Sequence, residues 1–267
     1  MHERDTGGVD DDPRAWTRHQ RHGGGAPDDD LAPFLAHVWT AEWEYATPHR
    51  QTIAALPQVH VTVRPGGAPQ VQGVARRPVV RVLEGRGRVV GAAFRPGTFR
   101  AVAGRAVSTL TDLQMPAVAL GLAGGPADPC DADALQAWLR AVLPDAPDPG
   151  GREAEAIVER IAADPALTRV DRLAADAGRS VRSLQRLFAE HVGVGPKWVI
   201  RRYRLREITA RLAAGSDVDW ADLAADLGYA DQAHLTRDVA DLLGEPPSRY
   251  ARRYPASSGR SPTGRSA

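Results

Sequence analysis

Hydrophobic residues follow two different periodicities along this chain. Between Leu31 and Leu143, short valine-rich segments alternate apolar and polar residues and are separated by proline and glycine, which predicts antiparallel strands joined by turns. After Gly151 the apolar residues recur every three or four positions, as they do on one face of a helix. The pattern predicts an α+β protein: a mainly antiparallel β domain, then an all-α domain. The predicted strands are 59–63, 70–74, 78–83 and 88–94, and helices are predicted at 131–143 and 152–163.

A pair of short helices is predicted between residues 170 and 188. Val170 to Ala177 has helical spacing, Gly178 permits a tight turn, and Ser180 suits the N-cap of a second helix. In that second helix one face is apolar, and a different face carries three polar side chains. The apolar residues are Val181, Leu184, Leu187 and Phe188, and the polar ones are Arg182, Gln185 and Arg186. This arrangement predicts a helix-turn-helix, a device for reading DNA.

The same pattern occurs a second time. The residues from Leu173 to Gly178 return fifty positions later, from Leu223 to Gly228. After one extra residue in the turn the offset becomes fifty-one, so that Ser180 matches Asp231 and Leu184 matches Leu235. Because caps and core positions shift together, we interpret the repeat as a duplicated helix-turn-helix.

A third helix is predicted between the two units. Pro196 suits its first turn and Gly215 its C-cap, while Leu205, Ile208 and Leu212 face the core. An eighteen-residue helix spans about 27 Å, close to the roughly 34 Å between successive major-groove faces of a duplex. Such a rod would hold both reading helices on one side of the DNA. The two helix-turn-helix units are therefore expected to be joined by a linker helix.

Composition sets the class of protein. The chain has 267 residues, an apolar content of 43% and a net charge of +1, which suits two modest soluble domains. Cys130 is the only cysteine, which excludes an intrachain disulfide and a multi-cysteine metal site. The sequence has no membrane-spanning run and no signal-peptide pattern, so we expect a cytoplasmic protein.

The domain organisation follows from turn formers and charge. We expect a polar, disordered tail, a β-rich domain for sensing or dimerisation, a proline-rich linker, a DNA-binding domain and a second disordered tail. In that order the predicted segments are 1–30, 31–143, 144–151, 152–254 and 255–267.

Positive charge is concentrated around the first unit. Between Gly178 and Arg206 the sequence has eight basic residues and one acid, Glu190, which favours a surface for a polyanion. A solvated arginine-rich helix face is the alternative for such a cluster taken alone. We expect the phosphate contacts from Arg179, Ser180, Lys197, Arg201 and Arg202.

These motifs resemble the AraC-type DNA-binding domain. The first half is carried by Gly178-x-Ser180-x-Arg182-x-Leu184-Gln185-Arg186-Leu187-Phe188 with Gly193-x-x-Pro196, and the second by the matching run from Leu223 to Asp238 with Gly244, Pro247 and Tyr250. Residues 34–112 are similar to the N-terminal domain that precedes this module in a group of bacterial regulators, through Leu83–Arg88, Gly91–Arg100 and Leu110–Asp112. The resemblance implies a one-component transcription regulator that binds double-stranded promoter DNA. It leaves open RNA polymerase, an unidentified small-molecule effector and a homodimer as further partners.

The resemblance also indicates which side chains face the bases. In the first unit they are Arg182, Gln185 and Arg186, and arginine and glutamine favour guanine and adenine through bidentate hydrogen bonds. The second unit departs from the family pattern, because Val239 and Ala240 stand where phenylalanine and a basic residue are usual. We therefore expect the first unit to supply most of the affinity. The candidates in the second unit are Gln232, Ala233, His234, Thr236 and Arg237.

The N-terminal domain also contains candidate residues for an effector site. Four arginines near a predicted Gly85–Gly87 turn are candidates for an anion site, although a solvated hairpin is the simpler interpretation. They are Arg86, Arg88, Arg95 and Arg100.

Two other classes of function remain to be considered, an enzyme and a protein-interaction module. The chain lacks the Gly-x-Ser-x-Gly motif of serine hydrolases, the His-Glu-x-x-His motif of metalloproteases and a phosphate-binding loop. We therefore expect that the protein is not an enzyme and that it binds no cofactor and no metal. The remaining alternative is a protein-interaction module whose helix-turn-helix units no longer read bases.

Overall fold

The computed structural model describes residues 19–53, 55–213, 220–226 and 229–243. The expected tail at 255–267, the C-cap Gly215 and the motif residues Gly244, Pro247 and Tyr250 lie outside the described residues, as does the first part of the expected tail at 1–30. The side chains at 206, 207, 209–213, 226 and 241–243 are also not described.

The N-terminal part is a six-stranded antiparallel sheet with strand order β1-β2-β5-β3-β4-β6. Its alternating sequence separates an aliphatic face from a polar one. Val38, Val61, Val71 and Val90 are buried on the aliphatic face. The strands are β1 (Gln20–Gly25), β2 (Leu35–Ile53), β3 (His60–Val63), β4 (Gln70–Gln72), β5 (Val79–Phe94) and β6 (Gln114–Pro116).

Two glycine-rich segments form strands where the sequence predicted none. The expected disorder of residues 1–30 is wrong from Gln20 to Gly25, which pair with β2. Gly24 fits there because a Cβ would lie 2.2 Å from the carbonyl oxygen of Val38. The predicted turn at Gly85–Gly87 is also wrong, since β5 continues through it. Gly85, at φ +58°, lies beside a register shift between Tyr45 and His49 of β2, so its conformation accommodates a bulge.

The helices agree with the predicted α+β class. Asp131 and Asp148 cap α2 and α3 by accepting hydrogen bonds from the amides of Ala134 and Gly151. The first turn of α3 therefore includes Pro149–Gly151, which the sequence assigned to a linker. The eight helices of the described residues are α1 (Phe99–Ala103), α2 (Ala132–Val142), α3 (Pro149–Ala163), α4 (Val170–Asp176), α5 (Val181–His191), α6 (Pro196–Ala213), α7 (Trp220–Asp226) and α8 (Gln232–Leu243).

The hydrophobic core is not divided at the expected linker, residues 144–151. One cluster runs from Leu31 in the β domain to Ile200 at the start of α6, and it includes Leu184 and Phe188 of α5. A second, smaller cluster joins the later part of α6 to α7 and α8, through Leu205, Ile208, Leu223, Ala224, Leu235 and Val239. The first helix-turn-helix unit is thus packed into the same core as the β domain.

Polar contacts reinforce this junction. Arg95 pairs with Glu155 and Glu159 of α3, and Arg100 donates to Glu190 of α5 at 2.6 Å. The hydroxyl of Thr111 donates to the carbonyl of Gly193 at 2.7 Å. We call these contacts, together with the apolar packing beneath them, the interdomain brace.

Candidate nucleic-acid interface

The helix α5 exposes the polar face that the sequence predicts. Leu184 and Phe188 are fully buried, and the hydroxyl of Ser180 accepts the amide of Ser183 at 3.1 Å, which fixes where the helix begins. Gly178, at φ +62°, makes the turn from α4. Val181 is the exception on the predicted apolar face: it is 38% exposed, because it lies in the first turn, beyond the edge of the core.

The side chains of Arg182, Gln185 and Arg186 all lie exposed on α5. None of the three has a hydrogen bond or an ion pair with another described residue. They can therefore meet an external partner without first breaking a contact inside the described part of the chain.

Two of the predicted phosphate contacts serve the local structure. Arg179 forms a bidentate ion pair with Glu153 of α3, at 2.5 and 2.6 Å, and these hydrogen bonds lower the pKa of Glu153. The hydroxyl of Ser180 is used in the helix cap. The geometry therefore does not support Arg179 as a free phosphate ligand, since its charge already has a partner.

The arginines of α6 are mostly structural as well. Arg201 pairs with Asp238 of α8, and Arg202 is buried. Arg204 is also buried and donates to the carbonyls of Ile161 and Asp164, at 2.8 and 2.6 Å, at the end of α3. Lys197 remains exposed. The predicted basic stripe is thus smaller than the sequence indicates, because charge alone does not distinguish a structural arginine from a free one.

The second unit repeats the cap and the exposed face. Asp231 accepts the amide of His234 at 2.6 Å, and Leu235 and Val239 are buried. Arg237 donates to the carbonyl of Ala233 in its own helix at 3.1 Å, and the His234 ring lies edge-on to Tyr229 at 5.3 Å. The exposed side chains are Gln232, Ala233, His234, Thr236 and Arg237.

Asp238 is a structural residue that sequence reasoning missed. It is buried, pairs with Arg201 of α6 and accepts the hydroxyl of Tyr229 at 3.0 Å. Burial raises the pKa of that tyrosine. The repeat contained the signal, because an offset of fifty-one aligns Asp238 with the buried Leu187. A carboxylate at a core position indicates a buried polar partner.

The four effector candidates are not brought together. Arg86 and Arg88 line an open cavity of about 820 Å³ with Trp43 and Tyr45, and Arg88 pairs with Glu42 at 3.3 Å. Arg95 and Arg100 instead belong to the interdomain brace. The expected four-arginine anion site is therefore wrong, because carboxylates of α3 and α5 take up two of its members.

Within the described ranges, no helix is both long enough and apolar enough to cross a bilayer. The same residues contain no group of three or more histidine, cysteine, aspartate or glutamate side chains arranged to hold a metal ion.

Two parts of the chain match known domain families. Residues 173–253 match a helix-turn-helix domain family, and residues 25–116 match a domain family of unknown function. No curated protein is similar enough to count as a match.

Several solved structures are similar to the chain. A transcriptional regulator with an AraC-type DNA-binding domain from Chromobacterium violaceum is 21% identical over 40% of this chain and 96% of its own, with a TM-score of 0.35. The C-terminal domain of AraT, a response regulator from Geobacillus stearothermophilus, is 16% identical over 43% and 93%, with a TM-score of 0.35. ToxT from Vibrio cholerae O395 is 9% identical over 90% and 100%, with a TM-score of 0.42. By these matches, residues 173–253 belong to a helix-turn-helix domain family and residues 25–116 to a domain family of unknown function.

Proposed function

We propose that this DNA-binding regulator recognises a specific promoter sequence, with its two helix-turn-helix units in adjacent major grooves of one duplex. The observation that carries the proposal is the exposed face of α5, where Arg182, Gln185 and Arg186 have no partner among the described residues. Arginine pairs bidentately with guanine and glutamine with adenine, and each such pair discriminates by roughly 1–3 kcal/mol.

The two units contribute unequally. The first unit is held by the large core and the interdomain brace, so its reading helix is already ordered before it meets DNA. The second rests on a small core, and Arg237 is bonded to its own helix. Ordering and rearrangement both reduce the free energy available for binding. The first unit should therefore supply most of the affinity.

Lys197 is the phosphate contact that remains from the predicted set. It is exposed at the start of α6, whereas Arg179 and Arg201 are held in ion pairs and Arg202 is buried. Replacing a residue that contacts phosphate weakens binding to all DNA sequences alike and makes the affinity depend less steeply on salt concentration. Lys197→Gln should have both effects, whereas Arg202→Gln should destabilise the fold.

Control by an effector would act through the interdomain brace. Arg95 and Arg100 are on the β-domain side of the junction, and their carboxylate partners are on α3 and α5. A ligand that moves the β domain would therefore move the reading helix of the first unit directly, because both belong to one core.

Selection of DNA from a random pool tests the proposal. The wild-type chain should enrich a motif with two half-sites about one helical turn apart, and the variant with Arg182, Gln185 and Arg186 all replaced by alanine should lose the half-site read by α5. Thr109→Ala, on the exposed surface of the β domain, is a matched control and should enrich the same motif. Recovery of no motif by the wild type would instead support a protein-interaction module.

A further inference from the structure

A loop of the β domain lies against the start of the linker helix α6. The loop consists of residues 73–78 and connects β4 to β5. The indole Nε1 of Trp198, in the first turn of α6, donates to the carbonyl oxygen of Arg76 at 3.2 Å. The hydroxyl of Thr111 donates to the carbonyl of Gly193, just before α6, at 2.7 Å. The β domain therefore contacts the part of the chain that directly follows the reading helix α5.

Three basic side chains lie at this contact. Arg76 and Arg77 belong to the β-domain loop, and Lys197 immediately precedes Trp198 in α6. All three are exposed, and the side chains of Arg77 and Lys197 have no hydrogen bond or ion pair with another described residue. We call these three residues the junction patch.

Asp112 neutralises part of this charge. It accepts hydrogen bonds from the amide of Arg76 at 2.7 Å and from Nε of the same residue at 2.6 Å. Although partial burial acts in the opposite direction, these hydrogen bonds and the charges of Arg76 and Arg77 lower the pKa of Asp112. One carboxylate cannot balance three cations, so the junction patch keeps a net positive charge.

A small cavity lies at the same place. It is open, has a volume of about 270 Å³, and is lined by the backbone of residues 193–195 and by Arg76, Ser108, Thr111 and Trp198. Among the described residues that line it there is no carboxylate. Guanidinium and hydroxyl groups are the usual protein donors to phosphate oxygens. The composition of the cavity therefore agrees with the charge of the junction patch.

The length of α5 places this patch beside the duplex. The helix has eleven residues and spans about 16.5 Å, whereas the major groove is about 12 Å wide. When Arg182 and Arg186 reach base edges from the first half of α5, the other end of the helix lies at the wall of the groove. The sugar-phosphate backbone forms that wall, so the residues after α5 come next to phosphates.

We propose that the junction patch binds the DNA backbone, so that the β domain itself takes part in DNA binding. Arg77 from the β domain and Lys197 from α6 contact phosphates that flank the half-site read by α5. The proposal rests on the DNA binding proposed above. Contacts with the backbone carry no sequence information, so their loss can be measured separately from the loss of base reading.

The experiment measures how the affinity of the full chain for DNA depends on salt concentration. Titrations use the selected DNA and the unselected random pool. Each phosphate contact adds about 0.9 to the slope of log affinity against log salt concentration. Arg77→Gln should therefore lower the slope by about 0.9 on both DNAs, and its deficit relative to wild type should shrink about threefold between 50 and 200 mM salt.

Arg21→Gln is the matched control. It removes the same charge from an exposed position in β1, the edge strand on the other side of the sheet from β4, and should leave the slope unchanged.

A second variant should have an effect of the opposite sign. Asp112→Asn removes the negative charge but keeps an oxygen for the amide of Arg76, and asparagine tolerates the φ of +62° at this position. The guanidinium of Arg76 is then free for a phosphate. The variant should bind both DNAs more tightly than wild type, with a slope steeper by up to about 0.9. A folding defect does not produce such a gain.

Equal slopes for wild type and Arg77→Gln, or equal reductions in Arg77→Gln and Arg21→Gln, would overturn the proposal. Weaker binding by Asp112→Asn at an unchanged melting temperature would overturn it as well. If the selected DNA binds no better than the pool while Arg77→Gln still lowers the slope, the sequence-specific reading fails and the backbone contact stands.

Discussion

At the scale of single residues, His60 should make stability depend on pH. Burial, with a smaller contribution from the charge of His37, lowers its pKa from 6.5 to about 4. In the unfolded chain the imidazole of His60 is therefore protonated below about pH 6.5, whereas in the folded chain it is protonated only below about pH 4. Stability should fall as the pH drops through this window, by roughly 2 kcal/mol at about pH 5.

Urea unfolding of wild type and His60→Gln at about pH 7.5 and 5 measures this contribution. The variant should lose less stability on acidification than the wild type does, because glutamine does not titrate. The histidines that do not interact with His60 contribute equally to both chains and cancel in the comparison. Equal losses in the two chains would contradict the assignment to His60.

Arg204 tests whether an arginine in the basic stripe is structural. It donates to two carbonyls at the end of α3, and Arg204→Met leaves them without these donors. The free energy of unfolding should fall by about 2–3 kcal/mol. Arg182→Met, on the exposed face of α5, should change it by no more than about 0.5 kcal/mol. Chemical denaturation compares the two, and similar losses would show that Arg204 does not fasten α3.

At the scale of elements, Asp238 fastens the second reading helix to the linker helix. Asp238→Leu removes the partner of the half-exposed Arg201 and of the Tyr229 hydroxyl, and leaving the partly buried hydroxyl without a partner costs about 1–3 kcal/mol. The small core around Leu235 and Val239 offers little to compensate. Hydrogen exchange in α8 should therefore accelerate, while exchange in α5 stays the same.

Thr236→Ala, on the exposed side of the same helix, is the control and should leave exchange in α8 unchanged. Unchanged protection of α8 in Asp238→Leu would mean that the apolar contacts alone hold the second unit. Asp238→Leu should also weaken promoter binding less than Arg186→Ala does, because the first unit is expected to supply most of the affinity for DNA.

At the scale of the whole molecule, the shared core should make the first unit depend on the β domain. A fragment of residues 144–254 would expose the apolar surface that Phe188, Val192 and Val194 bury in the large cluster. A fragment of residues 1–213 keeps that cluster intact. We expect the longer N-terminal fragment to melt cooperatively, and the C-terminal fragment to bind a hydrophobic dye and aggregate.

Calorimetry and dye fluorescence distinguish the two fragments. Cooperative melting of 144–254 near the temperature of the full chain would show that the first unit is self-sufficient and that the interdomain brace adds little. Glu190→Gln provides a milder test in the full chain, because it weakens the contact of Arg100 with α5 without exposing the core.

Local pattern determined much of this protein. The duplicated helix-turn-helix, the caps at Ser180 and Asp231 and the start of the linker helix at Pro196 follow from periodicity and capping chemistry, which act over a few residues. The polar face of α5 follows from the same periodicity. Each of these features depends on neighbours within one or two helical turns, so the sequence by itself contains the necessary information.

Tertiary structure decided what each charge and each glycine does. Gly24 and Gly85 read as loop residues, yet lie in strands because partner strands exclude a side chain or take up a bulge. Arg179 and Arg201 were predicted to contact phosphate, and Arg204 belongs to the same basic stretch of sequence. All three instead bind groups 26 to 43 positions away in the chain. The linker expected at 144–151 does not separate two hydrophobic cores, because residues on both sides of it pack into one cluster. Such pairings depend on distance in space, which the order of residues along a chain does not specify.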